Sequence, residues 1–237
     1  MKKLIALLLA VAPFSTYAFK VTPMVVEFDS SGRGTNQTFQ VDNNSDLAIP
    51  LEVEALARKV NINNKETRTP TKDFVVYPLQ MVVKPNEKRN VRVSWIGNTT
   101  PETELAYRLA IRQLPVEIKG DKRNSPKAET KIKFLFEYVA SLYVRPKKVV
   151  EPKLVVESLV RSPTSAEVMV KNTGNIHVLF KQFSLFASAD GKRIEIPEKS
   201  LEEYLSYNIL AQDKRKFKIP LPAEVPAGQL TLEFKQK

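Results

Sequence analysis

The sequence predicts an all-β protein of two sandwich domains, and three observations lead to this prediction. Apolar residues alternate with polar ones in short runs, as in residues 49–55 and 105–111, which is the period of a half-buried strand. Polar turn clusters such as residues 84–87 separate the runs, and Asp190-Gly191 is a tight-hairpin dipeptide. No long stretch has the apolar stripe and caps of a helix. Many short strands joined by turns are typical of β-sandwiches.

The first 18 residues have the pattern of a secretory signal peptide. Lys2 and Lys3 precede the apolar stretch 4–12, and Thr16 and Ala18 place small residues three before and one before a cleavage point. The apolar stretch is shorter than the roughly 20 residues that span a membrane. We therefore expect residues 1–18 to be removed from an exported chain.

The remaining residues are enough for two domains of ordinary size. Residues 116–130 are polar and contain glycine and proline, which indicates an exposed loop. A strand over 131–144 follows, and Pro146 ends its ladder. The alternation then begins again, so we predict an N-terminal domain over 19–148 and a C-terminal domain over 149–237.

The residue inventory excludes most enzymatic chemistry. The chain has no cysteine, and His177 is its only histidine, so one chain cannot build a thiol nucleophile or a cluster of cysteine or histidine metal ligands. The seven glycines form no phosphate-binding loop. We predict no enzyme activity, no metal and no cofactor. One alternative stays open, in which Glu102 with Glu104, or Glu202 with Glu203, are the paired acids of a glycosidase.

The formal net charge of +11 results from 37 Lys and Arg residues against 26 Asp and Glu residues. An excess of positive charge favours acidic partners, but these residues are spread along the chain as ordinary surface charge is. We expect no nucleic-acid partner for an exported protein, and no integral membrane segment in the mature chain.

Several stretches, spaced along nearly the whole mature chain, resemble the periplasmic chaperones of the chaperone-usher pilus pathway. They are residues 84–93 (KPNEKRNVRV), residues 104–115, the strand that ends in Arg145-Pro146, and residues 170–178 (VKNTGNIHV). The resemblance implies two immunoglobulin-like β-sandwich domains set at an angle, with a cleft between them. It also implies the periplasm as location, and pilin subunits and an outer-membrane usher as partners. The alternative is an exported immunoglobulin-like structural or adhesive protein without chaperone activity.

The resemblance gives the strand over 131–144 a function, because these chaperones lend a strand to subunits that lack one. A donated strand continues the client's sheet through its backbone and fills the client's groove with alternate side chains. The side chains expected on the client face are Ile132, Phe134, Phe136, Tyr138 and Ala140. The same alternation also fits an ordinary core strand, and that interpretation stays open.

The main branch of this family holds the client's C-terminal carboxylate with an Arg on the first strand and a Lys late in the donor strand. Here residues 21–24 contain no Arg, and Ser141 stands at the lysine position, which points to a divergent branch such as the archaic type. A carboxylate in a partly buried cleft still favours a cationic partner. The candidate anchors are Arg89, Arg92, Arg108, Arg112 and Lys133. The resemblance also pairs Arg145 with Glu104 as an ion pair that fixes the angle between the domains.

Overall fold

The computed structural model describes residues 19–115 and 135–237. Strands dominate these residues, and the predicted all-β fold of two sandwiches is confirmed. One hydrophobic core lies within residues 19–144 and a second within residues 154–232. Short 3-10 helices lie at Arg33–Thr35, Phe180–Gln182 and Glu198–Tyr204.

The first sandwich is built from strands near the N-terminus and from the strand before the linker. Its strands are β1 (Phe19–Thr22), β2 (Val25–Asp29), β3 (Asn36–Asn43), β4 (Ile49–Val60), β5 (Glu66–Pro70), β6 (Phe74–Tyr77), β7 (Gln80–Val83), β8 (Lys88–Trp95), β9 (Leu105–Gln113) and β10 (Glu137–Arg145). One sheet has the order β1-β3-β8-β6, and the other has the order β2-β10-β9-β4-β5, with β7 paired to the start of β4. Strands β2 and β10 are parallel. Because β1 and β2 belong to different sheets, residues 19–29 pass from one sheet of the sandwich to the other.

Aromatic rings from both sheets meet in the first core. The Phe74 ring lies edge-on to Phe28, Trp95 and Tyr107, with ring centroids 5.2, 5.0 and 5.0 Å apart. Edge-to-face contacts at this spacing are favourable beyond the area that they bury. The alternation that predicted the strands therefore brings one side of each sheet into a single core.

The second sandwich is likewise built from short paired strands around one core. Its strands are β11 (Leu154–Arg161), β12 (Ser165–Asn172), β13 (Val178–Leu179), β14 (Phe183–Ala189), β15 (Lys192–Glu195), β16 (Asn208–Ile209), β17 (Lys214–Pro220) and β18 (Thr231–Gln236). They pair in the orders β11-β12-β17, β13-β16 and β15-β14-β18. The predicted hairpin joins β14 to β15, and Asp190 and Gly191 have φ angles of 47° and 75°, as the tight hairpin turn requires.

Each sandwich contains a buried asparagine at the end of a strand. The Asn43 amide donates to the carbonyls of Leu47, Val83 and Lys84 at 2.7 to 3.0 Å. In the second sandwich, Asn172 donates to three carbonyls in the same way, at 2.8 to 3.2 Å. A buried carbonyl without a donor is costly. These amides supply donors to carbonyls at points where the chain leaves a sheet, and so make such points compatible with burial.

The strand predicted over 131–144 is partly within the described residues. Strand β10 begins at Glu137 and ends at Arg145, one residue later than predicted. Leu135 and Phe136 precede the strand, and residues 131–134 lie outside the described residues. Among the residues that the structure describes, no helix is long and apolar enough to cross a membrane.

Substitutions within β10 and just before it should have different effects on stability. Replacing the fully buried Leu142 with alanine leaves a cavity and should lower the free energy of unfolding by about 2–5 kcal/mol. Phe136→Ala, at an exposed residue just before the strand, should cost less than about 1 kcal/mol. Urea titration followed by fluorescence of Trp95, the only tryptophan, measures both. Equal losses would contradict this division of the strand.

Candidate functional site

The first part of the candidate site is the edge of β10. Strand β9 pairs with β10 from Glu137 to Val144, whereas β2 pairs only with residues from Ser141 to Arg145. Ser141 N–H donates to the Met24 carbonyl at 2.8 Å, toward β2. Since backbone groups of alternate residues point to the same edge, those of Glu137 and Val139 also point to the β2 side. No strand of the described residues covers that side between residues 137 and 140.

The core-facing side of β10 becomes exposed toward its start. Ala140, Leu142 and Val144 are buried in the first core, with Ala140 1% exposed. Tyr138 is partly buried against the same core, its ring 4.8 Å from that of Phe19. Phe136, the next residue of this alternation, is 36% exposed.

The predicted client face is therefore divided. Tyr138 and Ala140 already pack in or against the chain's own core, because the facing sheet continues beneath them. Phe136 is accessible, and its neighbour Leu135 is 51% exposed. Ile132 and Phe134 lie outside the described residues.

The second part of the candidate site is a cleft of about 400 Å³ between the two sandwiches. Residues of β4, β5, β9 and β10 form its first wall, and residues around β13, β16 and β17 form its second. The charged side chains that line it are Arg58, Glu66, Arg108 and Arg215, and its polar lining includes Ser141, Tyr143, His177 and Asn208. The cleft therefore has more cationic than anionic groups.

Arg108 is the predicted anchor that lies in this cleft. It contacts Glu66 through Nη2, 2.6 Å from Oε2, and through Nε, 3.1 Å from Oε1. Its Nη1 donates to the hydroxyl of Ser141, the residue opposite it on β10. The position where the family resemblance expects a lysine thus receives a guanidinium from the neighbouring strand.

Glu66 is surrounded by three arginines. Arg58 Nε lies 2.7 Å from Oε2 and Arg68 Nε lies 2.6 Å from Oε1, in addition to Arg108. Burial by itself raises the pKa of Glu66, but hydrogen bonds from Arg108 and Arg68 and the charges of Arg58 and Arg108 outweigh it and lower this pKa to about 2. One carboxylate cannot neutralise three guanidinium groups, so this wall of the cleft keeps a positive charge.

The other predicted anchors lie elsewhere. Arg112 is four residues along β9 and contacts Glu54 at 2.7 Å and Glu137 at 2.6 Å, outside the lining of the cleft. Arg89 and Arg92 are exposed on β8, in the opposite sheet, and Arg89 lies 3.5 Å from Glu87. Lys133 lies outside the described residues.

Glu104 connects the two sandwiches at one end of the cleft. Its side chain is 1% exposed, and Oε2 lies 3.6 Å from Arg145 Nε, the predicted partner. Its Oε1 accepts from the His177 backbone N–H at 3.0 Å and lies 2.6 Å from His177 Nδ1. The imidazole also stacks on Tyr143, with ring centroids 3.8 Å apart. The lone histidine is therefore part of the contact between the sandwiches.

Asn175 completes this contact. Its side-chain N–H groups donate to the carbonyls of Glu102 at 3.0 Å and Lys148 at 2.8 Å, while its Oδ1 accepts from Val150 N–H at 2.7 Å. Its own carbonyl accepts from Glu104 N–H at 2.8 Å. Of the two residues considered above as paired acids, Glu104 joins the sandwiches through its carboxylate, whereas Glu102 does so only through its backbone carbonyl. Within residues 19–115 and 135–237, no three acidic or histidine side chains are grouped as a metal site requires.

The sequence patterns did not single out four residues of the cleft, which are Arg58, Glu66, Tyr143 and Asn208. The Tyr143 hydroxyl accepts from Arg58 Nη1 at 3.2 Å and from Asn208 Nδ2 at 2.8 Å. Arg58 and Asn208 are 85 and 65 positions away from it in the sequence. Alternation alone signals only that Arg58 and Tyr143 are on the outer face of their sheet.

The lowered pKa of Glu66 predicts a specific loss of stability in acid. The charged form is favoured in the folded protein, so its contribution is present above pH 4.5 and is lost as the pH falls toward about 2. After allowance for solvent screening, we expect this contribution to be about 1–2 kcal/mol. Glu66→Gln should reduce the pH dependence of the unfolding free energy between pH 5 and pH 2 by that amount.

The matched control is Glu233→Gln, which removes an exposed acid paired with Arg193. Urea titrations at successive pH values should give this control the same pH dependence as the unsubstituted protein. A Glu66→Gln variant that also keeps the full dependence would contradict the assignment.

The comparisons with known proteins agree with this architecture. The chaperone complex CsuC–CsuE of the archaic Csu pili of Acinetobacter baumannii has a TM-score of 0.58 at 14% identity, covering 84% of this chain and 89% of that chain. The Escherichia coli chaperone DraB has a TM-score of 0.55 at 16% identity, covering 93% and 97%. The Salmonella enterica SafA pilin in complex with the SafB chaperone gives 0.55 at 17% identity, covering 86% and 85%.

At these identities the solved structures show a shared fold. No curated protein matches the chain by sequence. The family model described as "Pili and flagellar-assembly chaperone, PapD N-terminal domain" matches residues 18–150, which is more than half of the chain. The chain therefore belongs to the pili and flagellar-assembly chaperone family.

Proposed function

We propose that this protein is a periplasmic chaperone that binds pilus subunits by donating a strand and delivers them to an outer-membrane usher. The observation that carries the proposal is the start of β10, where a backbone edge that no strand of the described residues covers adjoins the exposed Phe136. Family membership favours this function over that of an exported structural or adhesive protein. The chaperone needs no catalytic group, metal or nucleotide for such binding.

The strand was interpreted above either as an ordinary core strand or as a strand donated to a client. We apply each interpretation to a different part of it. From Ala140 onward the apolar side chains stabilise the chaperone's own core. Before Tyr138 the same alternation continues in the sequence with Phe136, Phe134 and Ile132, to which we assign the contact with a client. A strand can serve both proteins in this way because its backbone edge and its alternating side chains extend past the core.

A pilus subunit that lacks one strand supplies the complementary surface. It exposes unpaired backbone groups and an apolar groove, both of which promote aggregation. Backbone groups of Glu137 and Val139 can continue the subunit's ladder, while Ile132, Phe134 and Phe136 fill the groove. Burial of three such side chains yields about 1.5–3 kcal/mol each, from which the cost of ordering the segment is subtracted.

Two of the similar structures support subunits as the client class. The Acinetobacter baumannii structure is described as a chaperone-tip adhesion subunit pre-assembly complex, and the Salmonella enterica structure contains a pilin with its chaperone. The signal peptide over residues 1–18 supports export to the periplasm. We divide the mature chain into an N-terminal chaperone domain, 19–148, and a C-terminal domain, 149–237.

Arg108 is our candidate for the residue that anchors the client's C-terminal carboxylate. It lies in the cleft with its Nη1 at Ser141, next to the strand that we propose to be donated. Arg58 lies on the same wall, so two guanidinium groups face a partly desolvated space in which a charge-assisted hydrogen bond is strong. The other described candidates, Arg89, Arg92 and Arg112, do not line this cleft.

The strand assignment predicts that Phe136→Asp abolishes capture of pilin. A charged side chain in the subunit's apolar groove cannot be hydrated, and its burial costs several kcal/mol. Leu135→Asp is the matched control, because it places the same charge one residue away, on the opposite side of an extended strand. Co-purification of each tagged variant with a co-expressed pilin subunit measures capture. Unchanged pilin yield with Phe136→Asp would refute strand donation by this segment.

The anchor assignment predicts that Arg108→Ala weakens pilin binding about 10- to 100-fold, the usual range for a lost hydrogen bond to a charged group. Arg112→Ala is the matched control, since it lies on the same strand and face but outside the cleft. Titration of the pilin against both chaperone variants should leave Arg112→Ala close to the unsubstituted protein. Equal losses in the two variants would exclude Arg108 as a specific anchor.

A further inference from the structure

The hairpin of β4 and β5 extends beyond the sheet that contains it. Strand β9 pairs with β4 as far as Ala57, and in the described residues Arg58–Val60 pair only with β5. The extension carries Arg58 and Glu66, so it forms one wall of the cleft. Its position therefore affects the shape of the cleft.

The tip of this hairpin contacts the second sandwich at the edge of β17. Lys216 N–H donates to the Ile62 carbonyl at 2.7 Å, and Asn64 Nδ2 donates to the Lys216 carbonyl at 3.1 Å. Strand β17 is the last strand in the order β11-β12-β17. The tip thus satisfies both backbone groups of Lys216 on the outer edge of this sheet.

The tip is internally ordered. The Asn61 side-chain oxygen accepts from the backbone N–H groups of Asn63 and Lys65, both at 3.0 Å. The backbone of Asn61 also bonds to Asn64 and Lys65. A turn held by its own hydrogen bonds moves as a unit, so it can separate from β17 without unfolding.

The contacts at the two ends of the cleft differ in burial. At the other end of the cleft, Glu104, Asn175 and Tyr143 are all buried. At the tip, Ile62 is 47% exposed, and Asn64 is partly exposed. Before the tip, the buried Arg215 of β17 donates through Nη1 to the Val60 carbonyl at 3.2 Å. Exposed hydrogen bonds compete with water and open more readily than buried ones.

We propose that the tip of the β4–β5 hairpin is a releasable clasp that sets the width of the arginine-lined cleft. In the free protein it holds the second sandwich over Arg58 and Arg108. When it separates from β17, the bond from Arg215 to the Val60 carbonyl opens with it, the sandwiches turn about the buried contact at Glu104, and the cleft widens. The consequence for the entry of a subunit's tail rests on the proposed chaperone function, but the clasp itself does not.

One residue of the tip can be tested without disturbing the turn. Asn64 has a φ of 62°, which glycine adopts without cost. Asn64→Gly therefore removes the side-chain bond to Lys216 while keeping the backbone conformation. Asn63→Gly is the matched control, since it changes the same residue type in the same turn without touching a described bond to β17.

The measurement is the distance between the two sandwiches in the full mature chain without any pilin. Because the chain has no cysteine, spin labels at Lys20→Cys and Lys235→Cys report this distance alone. We expect Asn64→Gly to broaden the distance distribution and to speed amide hydrogen exchange at Lys216 roughly 2- to 10-fold, as the loss of one hydrogen bond implies. Asn63→Gly should change neither quantity.

An Asn64→Gly variant with unchanged distances and unchanged exchange would overturn the clasp, and so would equal effects of the two substitutions. This result is independent of the proposed function, because no client is present. Conversely, loss of strand donation with an intact clasp would overturn the proposed function alone.

Discussion

The unequal pairing of β10 is the constraint on which the rest of the structure depends. Strand β9 covers one edge of β10 over eight residues, while β2 covers the other edge only from Ser141 onward. The covered half buries Leu142 and Val144 and thereby fixes the first core. On the β2 side of the other half, no strand of residues 19–115 and 135–237 covers the backbone, and Phe136 just before it is exposed. A single alternation of side chains thus serves first the core and then, as we propose, a client.

The covered half of β10 also determines the cleft. Its outer face presents Ser141 and Tyr143 to the second sandwich, and each holds a side chain from a different element. Ser141 accepts from Arg108, and Tyr143 stacks on His177 and accepts from Asn208. The strand whose start we propose to be donated to a client therefore positions the cationic wall and the contact between the sandwiches at its end.

The sequence alone predicted the features that depend on residues close together in the chain. The period-two runs predicted the β9 and β8 regions, and Asp190-Gly191 predicted its hairpin, because each depends on neighbouring residues. The weakly apolar residues before β16 gave no comparable signal, and part of them forms the 3-10 helix Glu198–Tyr204. That segment is fixed by tertiary packing, since Tyr204 lies 5.2 Å from the Phe217 ring in the second core.

The site was less accessible to sequence analysis, because its contacts join distant residues. Glu66 and Arg108 are 42 positions apart, and Glu104 and His177 are 73 positions apart. The resemblance to pilus chaperones singled out Arg145 and Glu104 but gave no partner in the second sandwich. Among five candidate anchors, sequence could not separate Arg108 from Arg112, although one lies in the cleft and the other pairs with Glu54 outside it.

The arginine cluster is suited to binding that must later be reversed. Glu66 already occupies part of the hydrogen-bonding capacity of Arg58 and Arg108, so a client carboxylate would share these groups with a resident acid. Three guanidinium groups without Glu66 would repel one another in the free protein, and one arginine fully paired with Glu66 would attract no carboxylate. The observed ratio of arginine to glutamate avoids both extremes. In the anchor role that we propose for Arg108, this ratio leaves positive charge that favours a subunit's tail, together with a resident acid that competes with the tail when the subunit passes to the next partner.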